Sequence, residues 1–278
     1  MTDKYAVVGY PIAHSKSPLI HRLFAEQTQQ DISYEAILID TDDSTFQWSI
    51  EDLKSRGYKG INITVPYKLD AFEYANELTA RATTAQAVNT YCFNTDGTIL
   101  GDNTDGLGLV NDIEINGQCP FKDKNVLILG AGGAVQGILE PLLEKQPGLV
   151  HIANRTAKRA QVLGERFKSS SKLSASGWED IPLQHYDIII NGTAASLEGK
   201  IPPVSTELVS KDSLVYDMMY DAEPTVFMAW AKQAQPECKT MDGLGMLVGQ
   251  AAEAFYQWRG VRPETAPVIT AVRETISK

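Results

Sequence analysis

The stretch NVLILGAGGAVQGILEPLLE, residues 125–144, decides how the rest of the chain is read. It opens on an unbroken apolar run, Val-Leu-Ile-Leu, of a length that suits a strand buried on both faces. A glycine-rich turn follows, and beyond it apolar residues recur at helical spacing. Glycine permits the positive φ of a tight strand-to-helix turn and lets an anion approach the backbone. The helix start then offers free N–H groups and the positive end of its dipole, a site suited to a pyrophosphate. Gly130, Ala131, Gly132, Gly133 and Ala134 form this turn, but the GxGxxG pattern is incomplete, because Val135 stands at its third glycine position. The placement between a buried strand and a helix makes this a dinucleotide site; the bland alternative is a tight turn with no ligand.

The next strand-like run, LVHIA at residues 149–153, leads into NRTAKR at residues 154–159. An NAD site places an acid about 20 residues past the glycines, to bond the ribose 2′-hydroxyl. Here Asn154, Arg155, Thr156, Lys158 and Arg159 include no acid and three cations. The planar guanidinium pairs with phosphate in a bidentate way, so Arg155 and Arg159 are expected to hold the 2′-phosphate of NADP. The alternative is a helix start capped by Thr156 with a solvated basic face. Strands at residues 186–192 and 214–220 and helices at 225–234, 244–258 and 267–276 complete this half.

Upstream, strand-like segments at residues 4–9, 34–39, 60–65 and 89–93 alternate with helix-like ones at 18–27, 46–54 and 68–75. Such alternation predicts βαβ units and a mainly parallel sheet. The helix from Leu244 is apolar on nearly every side, through Met246, Leu247, Ala251, Phe255 and Trp258. A helix of that kind is buried between layers, which suggests that the C-terminal helices return to the first domain.

Composition narrows the function classes. A length of 278 residues leaves room for two domains of ordinary size. A formal net charge of −10 disfavours nucleic acid and anionic membranes as partners. It leaves a small anionic ligand open, because screening over about 8–10 Å lets a local basic pocket act alone. Cys92, Cys119 and Cys238 lie far apart, which argues against a disulfide framework or a thiolate metal site and suits a reducing compartment. No metal is expected. With no signal-peptide pattern and no apolar run of about 20 residues, the chain is expected to be cytoplasmic.

Polar residues gather at strand ends in the first half. PIAHSKSP puts Ser15 and Ser17 before Pro18 at a helix start, a plausible carboxylate site, although Ser17 alone reads as an ordinary N-cap. NITVPYK brings Thr64 and Lys68, AVNT brings Asn89, and GDNTDG brings Asp102, Asn103 and Asp105. Each alone is a solvated charge or a polar turn.

Together and in this order, with GAGGA, NRT, YDMMY and DGLGMLVGQ, these segments resemble the shikimate dehydrogenases from end to end. The resemblance implies an α/β substrate domain at residues 1–104 and 243–278, with a Rossmann-type NADP-binding domain at 105–242. It implies NADPH-dependent reduction of 3-dehydroshikimate to shikimate, in aromatic amino acid biosynthesis, by a monomer or weak homodimer. Ser15 and Ser17 match residues that hold the substrate carboxylate, with the substrate-binding Tyr220 nearby, and Thr64, Asn89 and Gln250 match residues that bond ring hydroxyls. Lys68 and Asp105 match the catalytic pair. Thr193 matches a cofactor contact, and Met218 and Gly243 match positions near the nicotinamide. Two departures stand out: Val135, and Ala194 and Ala195 where hydroxyls are common. The rivals are a quinate/shikimate dehydrogenase using NAD and, from another class, a non-catalytic dinucleotide-sensing module.

Overall fold

Short apolar strands alternating with amphipathic helices build two α/β units, Met1–Gly108 with Leu247–Thr275, and Leu109–Met246 with Ile276–Lys278. The computed structural model describes residues 2–40, 45–167 and 172–277.

The first unit runs β1 (Asp3–Gly9), α1 (Ser17–Thr28), β2 (Ile32–Leu38), α2 (Phe46–Ser55), β3 (Tyr58–Ile63), α3 (Lys68–Tyr74), β4 (Glu77–Leu78), α4 (Ala80–Ala85), β5 (Thr90–Phe93), β6 (Ile99–Asp102) and the start of α5 (Asp105–Asn111). Its sheet has the order β2-β1-β3-β5-β6-β4. β1 lies parallel to β2 and β3, but β5 is antiparallel to both β3 and β6. β5 thus runs against the other five strands, and the sheet is mainly parallel, as expected, with one strand reversed. The reversal is local: Asp96 Oδ1 accepts the N–H and hydroxyl of Thr98 at 2.9 and 2.7 Å. Gly97 takes the φ of +88° that such a turn demands.

The second unit contains β7 (Asn125–Leu129), α6 (Gly133–Glu144), β8 (Leu149–Ala153), α7 (Ala157–Arg166), β9 (Leu173–Ser176), β10 (Ile188–Asn191), β11 (Leu214–Asp217), α8 (Val226–Ala234) and β12 (Lys239–Asp242). Its strands are all parallel, in the order β12-β11-β10-β7-β8-β9. Counted from β7, that is the doubly wound dinucleotide-binding order, with its switch point between β7 and β10. Val126 and Ile128 face one core with Ile138, Leu142 and Ile152, whereas Leu127 and Leu129 face the other with Ile189, Val215 and Phe227. Each such side chain contributes roughly 1.5–3 kcal/mol by leaving water, so one strand anchors both layers.

Two further helices, α9 (Leu244–Arg259) and α10 (Ala266–Ile276), carry the chain back to the first unit. There Trp258 stacks on Tyr5 at 4.6 Å and its Nε1 donates to the carbonyl of Tyr91 at 2.9 Å. The division falls at Gly108 and Met246, four residues beyond the expected 104 and 242, because α5 and α9 each run past those points. Asp105 consequently belongs to the first unit and Gly243 to the second, each the reverse of the expectation.

Candidate active site

In the second unit, β7 delivers the chain to Gly130 at the switch point. Its φ is +116°, and a Cβ there would lie 3.1 Å from the carbonyl oxygen of Gly192. Gly132 and Gly133 border open space that any side chain would fill, and no side chain caps the start of α6. Bare N–H groups at an open helix start fit a pyrophosphate. Ala131 is almost buried and Ala134 half-buried, completing the turn. Val135, the departure from the glycine pattern, is fully buried opposite Gly192, where an added Cβ would come within 2.4 Å of Val135 Cγ2. The valine fits because its neighbour has no side chain.

After β8, Asn154 Nδ2 donates to the carbonyl of Thr156 at 2.9 Å and shapes the turn. Thr156 does not cap α7 with its side chain, so the bland reading of this segment loses its cap. Arg155, Lys158 and Arg159 are exposed, and none forms an ion pair with a described residue. At the end of β10 the buried Asn191 accepts from the N–H and hydroxyl of Thr193 at 3.1 and 2.7 Å. Asn191 and Ser196 donate to the two oxygens of Asp217 at 3.0 and 2.6 Å. The hydroxyl absent at Ala194 and Ala195 thus occurs at Ser196. Sequence reasoning missed Asn191, Ser196 and Asp217; polar residues closing buried strands were the available signal. A Cβ on Gly243 would stand 2.1 Å from the carbonyl oxygen of Met218, so only glycine fits beside that strand end. Tyr220 is half-buried in this unit, and burial first, then Asp242, pushes its phenol above the ordinary range.

In the first unit, Lys68 opens α3 and Asp105 opens α5, and Lys68 Nζ donates to Asp105 Oδ2 at 2.6 Å. The other carboxylate oxygen accepts from Asn89 Nδ2 at 2.8 Å. Asn89 Nδ2 also reaches Thr104 Oγ1 at 3.0 Å and Gln250 Oε1 at 3.4 Å, while Asn89 Oδ1 accepts the backbone N–H of Thr104 at 2.9 Å. Lys68, Asn89, Asp105 and Gln250 are therefore brought together from α3, the approach to β5, α5 and α9. Thr64 follows β3 directly and is partly exposed.

Asp102 and Asn103 are not part of this cluster. Burial raises the proton affinity of Asp102, but Arg81 and Thr79 outweigh it and hold the carboxyl below its usual range. Asn103 donates to the carbonyl of Ala87 at 3.1 Å and accepts the N–H of Asp105 at 3.2 Å, which fixes the start of α5.

Ser17 is the first residue of α1, and Ser15 Oγ accepts its N–H at 3.3 Å. Lys16 occupies the N-cap position and no side chain caps the helix, so Ser17 is not an ordinary cap. Behind the serines lie two residues that sequence reasoning passed over, Tyr34 and His21, whose rings stack at 4.0 Å and 8°. Burial pushes the His21 imidazole down to about 3, so it is neutral, and raises the Tyr34 phenol well above its ordinary range. The cluster thus offers one cation and one carboxylate among neutral amides and hydroxyls, a lining suited to a hydroxyl-rich molecule and to moving one proton.

Fold and side chains together define the class, an α/β oxidoreductase with a dinucleotide-binding unit. The chain belongs to the shikimate dehydrogenase family. Family models for the shikimate dehydrogenase substrate binding domain, for shikimate / quinate 5-dehydrogenase and for the shikimate 5′-dehydrogenase C-terminal domain match residues 7–91, 114–207 and 243–273. It is 72% identical over 276 residues, 99% of each chain, to the NADP(+) shikimate dehydrogenase of Hydrogenovibrio crunogenus. Among solved structures, an Ael1 enzyme from Pseudomonas putida is 43% identical with a TM-score of 0.91, over 97% of this chain and 98% of that one. The Thermus thermophilus shikimate 5-dehydrogenase in complex with NADP(H) and shikimate is 30% identical with a TM-score of 0.85, over 98% of this chain and 99% of that one.

Proposed function

We propose that the chain interconverts 3-dehydroshikimate and shikimate with NADP, a step in aromatic amino acid biosynthesis, using Lys68 and Asp105 as its catalytic pair. The observation that carries the reading is the 2.6 Å contact between them, with the second oxygen of Asp105 held by Asn89. NADPH, when bound, supplies hydride to the ketone carbon. Lys68 Nζ donates to the ketone oxygen and passes it a proton as negative charge builds there. In oxidation the same nitrogen receives the proton of the substrate hydroxyl. Asp105 keeps Nζ in place, and Asn89 keeps Asp105 in place.

The remaining roles follow the family pattern. Ser15 and Ser17 hold the carboxylate, with the substrate-binding Tyr220 nearby, while Thr64, Asn89 and Gln250 bond hydroxyls. The glycine turn from Gly130 to Ala134 takes the pyrophosphate. Asn154, Arg155, Thr156 and Arg159 take the adenosine 2′-phosphate end, Thr193 contacts the cofactor, and Met218 and Gly243 lie toward the nicotinamide. The exposed cations, which form no ion pair with a described residue, support NADP over NAD. A cytoplasmic location and a monomer or weak homodimer belong to the same reading. Following nicotinamide absorbance during shikimate oxidation tests it, with NAD and quinate as the competing pair. Strong preference for NADP and shikimate is expected, and equal rates with NAD and quinate would overturn it.

A further inference from the structure

The buried polar groups beneath the catalytic pair have a single direction, because the backbone fixes two of them. Asn89 Oδ1 accepts the N–H of Thr104 at 2.9 Å, and an amide N–H can only donate, so the Asn89 nitrogen must face Asp105. Asn62 Nδ2 lies 3.4 Å from the main-chain oxygen of Asn89, which can only accept. The Asn62 nitrogen therefore faces Thr90 at 3.1 Å, and its oxygen accepts the Tyr34 hydroxyl at 2.7 Å. Thr90 receives from Asn62 and has one proton to give, for which Asn89 Oδ1 at 3.0 Å is a nearer acceptor than Thr104 Oγ1 at 3.4 Å. The result is a string, Tyr34 to Asn62 to Thr90 to Asn89 to Asp105, ending on the carboxylate oxygen that does not touch Lys68. Asn62, Asn89 and Thr90 are all buried, so reversing Asn89 would set two donors face to face, and reversing Asn62 would set its oxygen against the Asn89 main-chain oxygen.

We propose that Asn62 and Thr90 are positioning residues that reinforce the backbone-set orientation of the Asn89 amide, with its N–H on Asp105, and that Tyr34 closes the far end of the string. Carboxamides do not pass protons along in the way that water or imidazole does, so the string orients Asp105 and delivers nothing to it. This rests on the reading of Lys68 and Asp105 as the catalytic pair.

The test is the single-turnover rate of NADPH formation from shikimate, with steady-state KM for NADP measured alongside. Thr90→Val keeps the shape and removes the hydroxyl. It is expected to slow single turnover by roughly 3–10-fold, the worth of one neutral hydrogen bond, with the NADP KM unchanged. Thr90→Ser, which restores a hydroxyl, should return most of the rate. A valine variant within 1.5-fold of wild type, or a serine variant as slow as valine, overturns the proposal. Should the valine enzyme fail to fold, Tyr34→Phe reads the same string from its far end, with its ring still available to His21. There a slower turnover at unchanged NADP KM supports the proposal, and a wild-type rate overturns it. Lys68→Ala runs beside these variants. If it keeps its rate, the catalytic-pair reading fails; if it is inactive while Thr90→Val is normal, only the positioning inference fails.

Discussion

Replacing Asp105 by asparagine removes a charge and, by the geometry around it, forces a choice. Both carboxylate oxygens are in use, one accepting from Asn89 Nδ2 at 2.8 Å and the other from Lys68 Nζ at 2.6 Å. An amide has only one oxygen, so one donor must face its NH2 group. Asn89 is 3% exposed and has no water to turn to, whereas the Lys68 side chain is 25% exposed. The amide oxygen therefore goes to Asn89, and Lys68 loses its anchor. A hydrogen bond to a charged group is worth about 1.5–3 kcal/mol, which corresponds to roughly 10–100-fold in kcat if it is needed only in the transition state. Lys68→Ala removes the proton donor itself, with an expected loss of about 10²–10⁴-fold. Because Asp105 acts through Lys68, the double variant should be little worse than Lys68→Ala. The NADP KM should stay near wild type in all three, since the residues assigned to NADP belong to the other unit. Steady-state kinetics of shikimate oxidation reads each quantity. Losses that multiply in the double variant would refute the coupled pair, and a Lys68→Ala enzyme with normal kcat and a raised shikimate KM would reduce Lys68 to a binding residue.

Arg155→Ala combined with Arg159→Ala should raise the KM for NADP far more than that for shikimate, on the scale of about 1.5–3 kcal/mol for each charge-assisted bond; an equal loss of affinity for NADP and NAD would refute the 2′-phosphate assignment. His21 should shape acid stability. Folding lowers its proton affinity from 6.5 to about 3 through burial, so between those values the unfolded chain binds one proton more than the native one. Its contribution is complete above pH 6.5 and drains as the pH falls toward 3, by up to roughly 5 kcal/mol. The melting temperature of His21→Leu should consequently fall less steeply with acid than wild type across that window, and parallel curves would refute the assignment.

The sequence was most legible where one physical signal dominated. The apolar runs of β7 and β8 and the glycine turn between strand and helix identify the second unit, because strands buried on both faces carry little but apolar residues. β4, β6, β9 and β12 were not legible: they are two to four residues long and partly polar. The β5–β6 reversal did leave a mark in Asp96-Gly97, a turn signal that the reading as alternating strand and helix passed over. In the site, Lys68 and Asp105 lie 37 residues apart and no local pattern joins them; only the resemblance did. Asn62 and Thr90 stayed hidden because a polar residue at one strand position looks the same whether it faces solvent or a buried partner.

The exposed cations after β8 differ from the buried string in how they can change over evolutionary time. Arg155, Lys158 and Arg159 carry no packing and no ion pair with described residues, so most replacements there should shift stability by no more than about 0.5 kcal/mol. Cofactor preference can therefore drift or be redirected by single substitutions that selection on folding does not see. The members of the string depend on one another for direction, so an altered Asn62 or Asn89 is tolerated only when its neighbours change with it. One half of this protein is open to gradual tinkering, and the other must be inherited as a block.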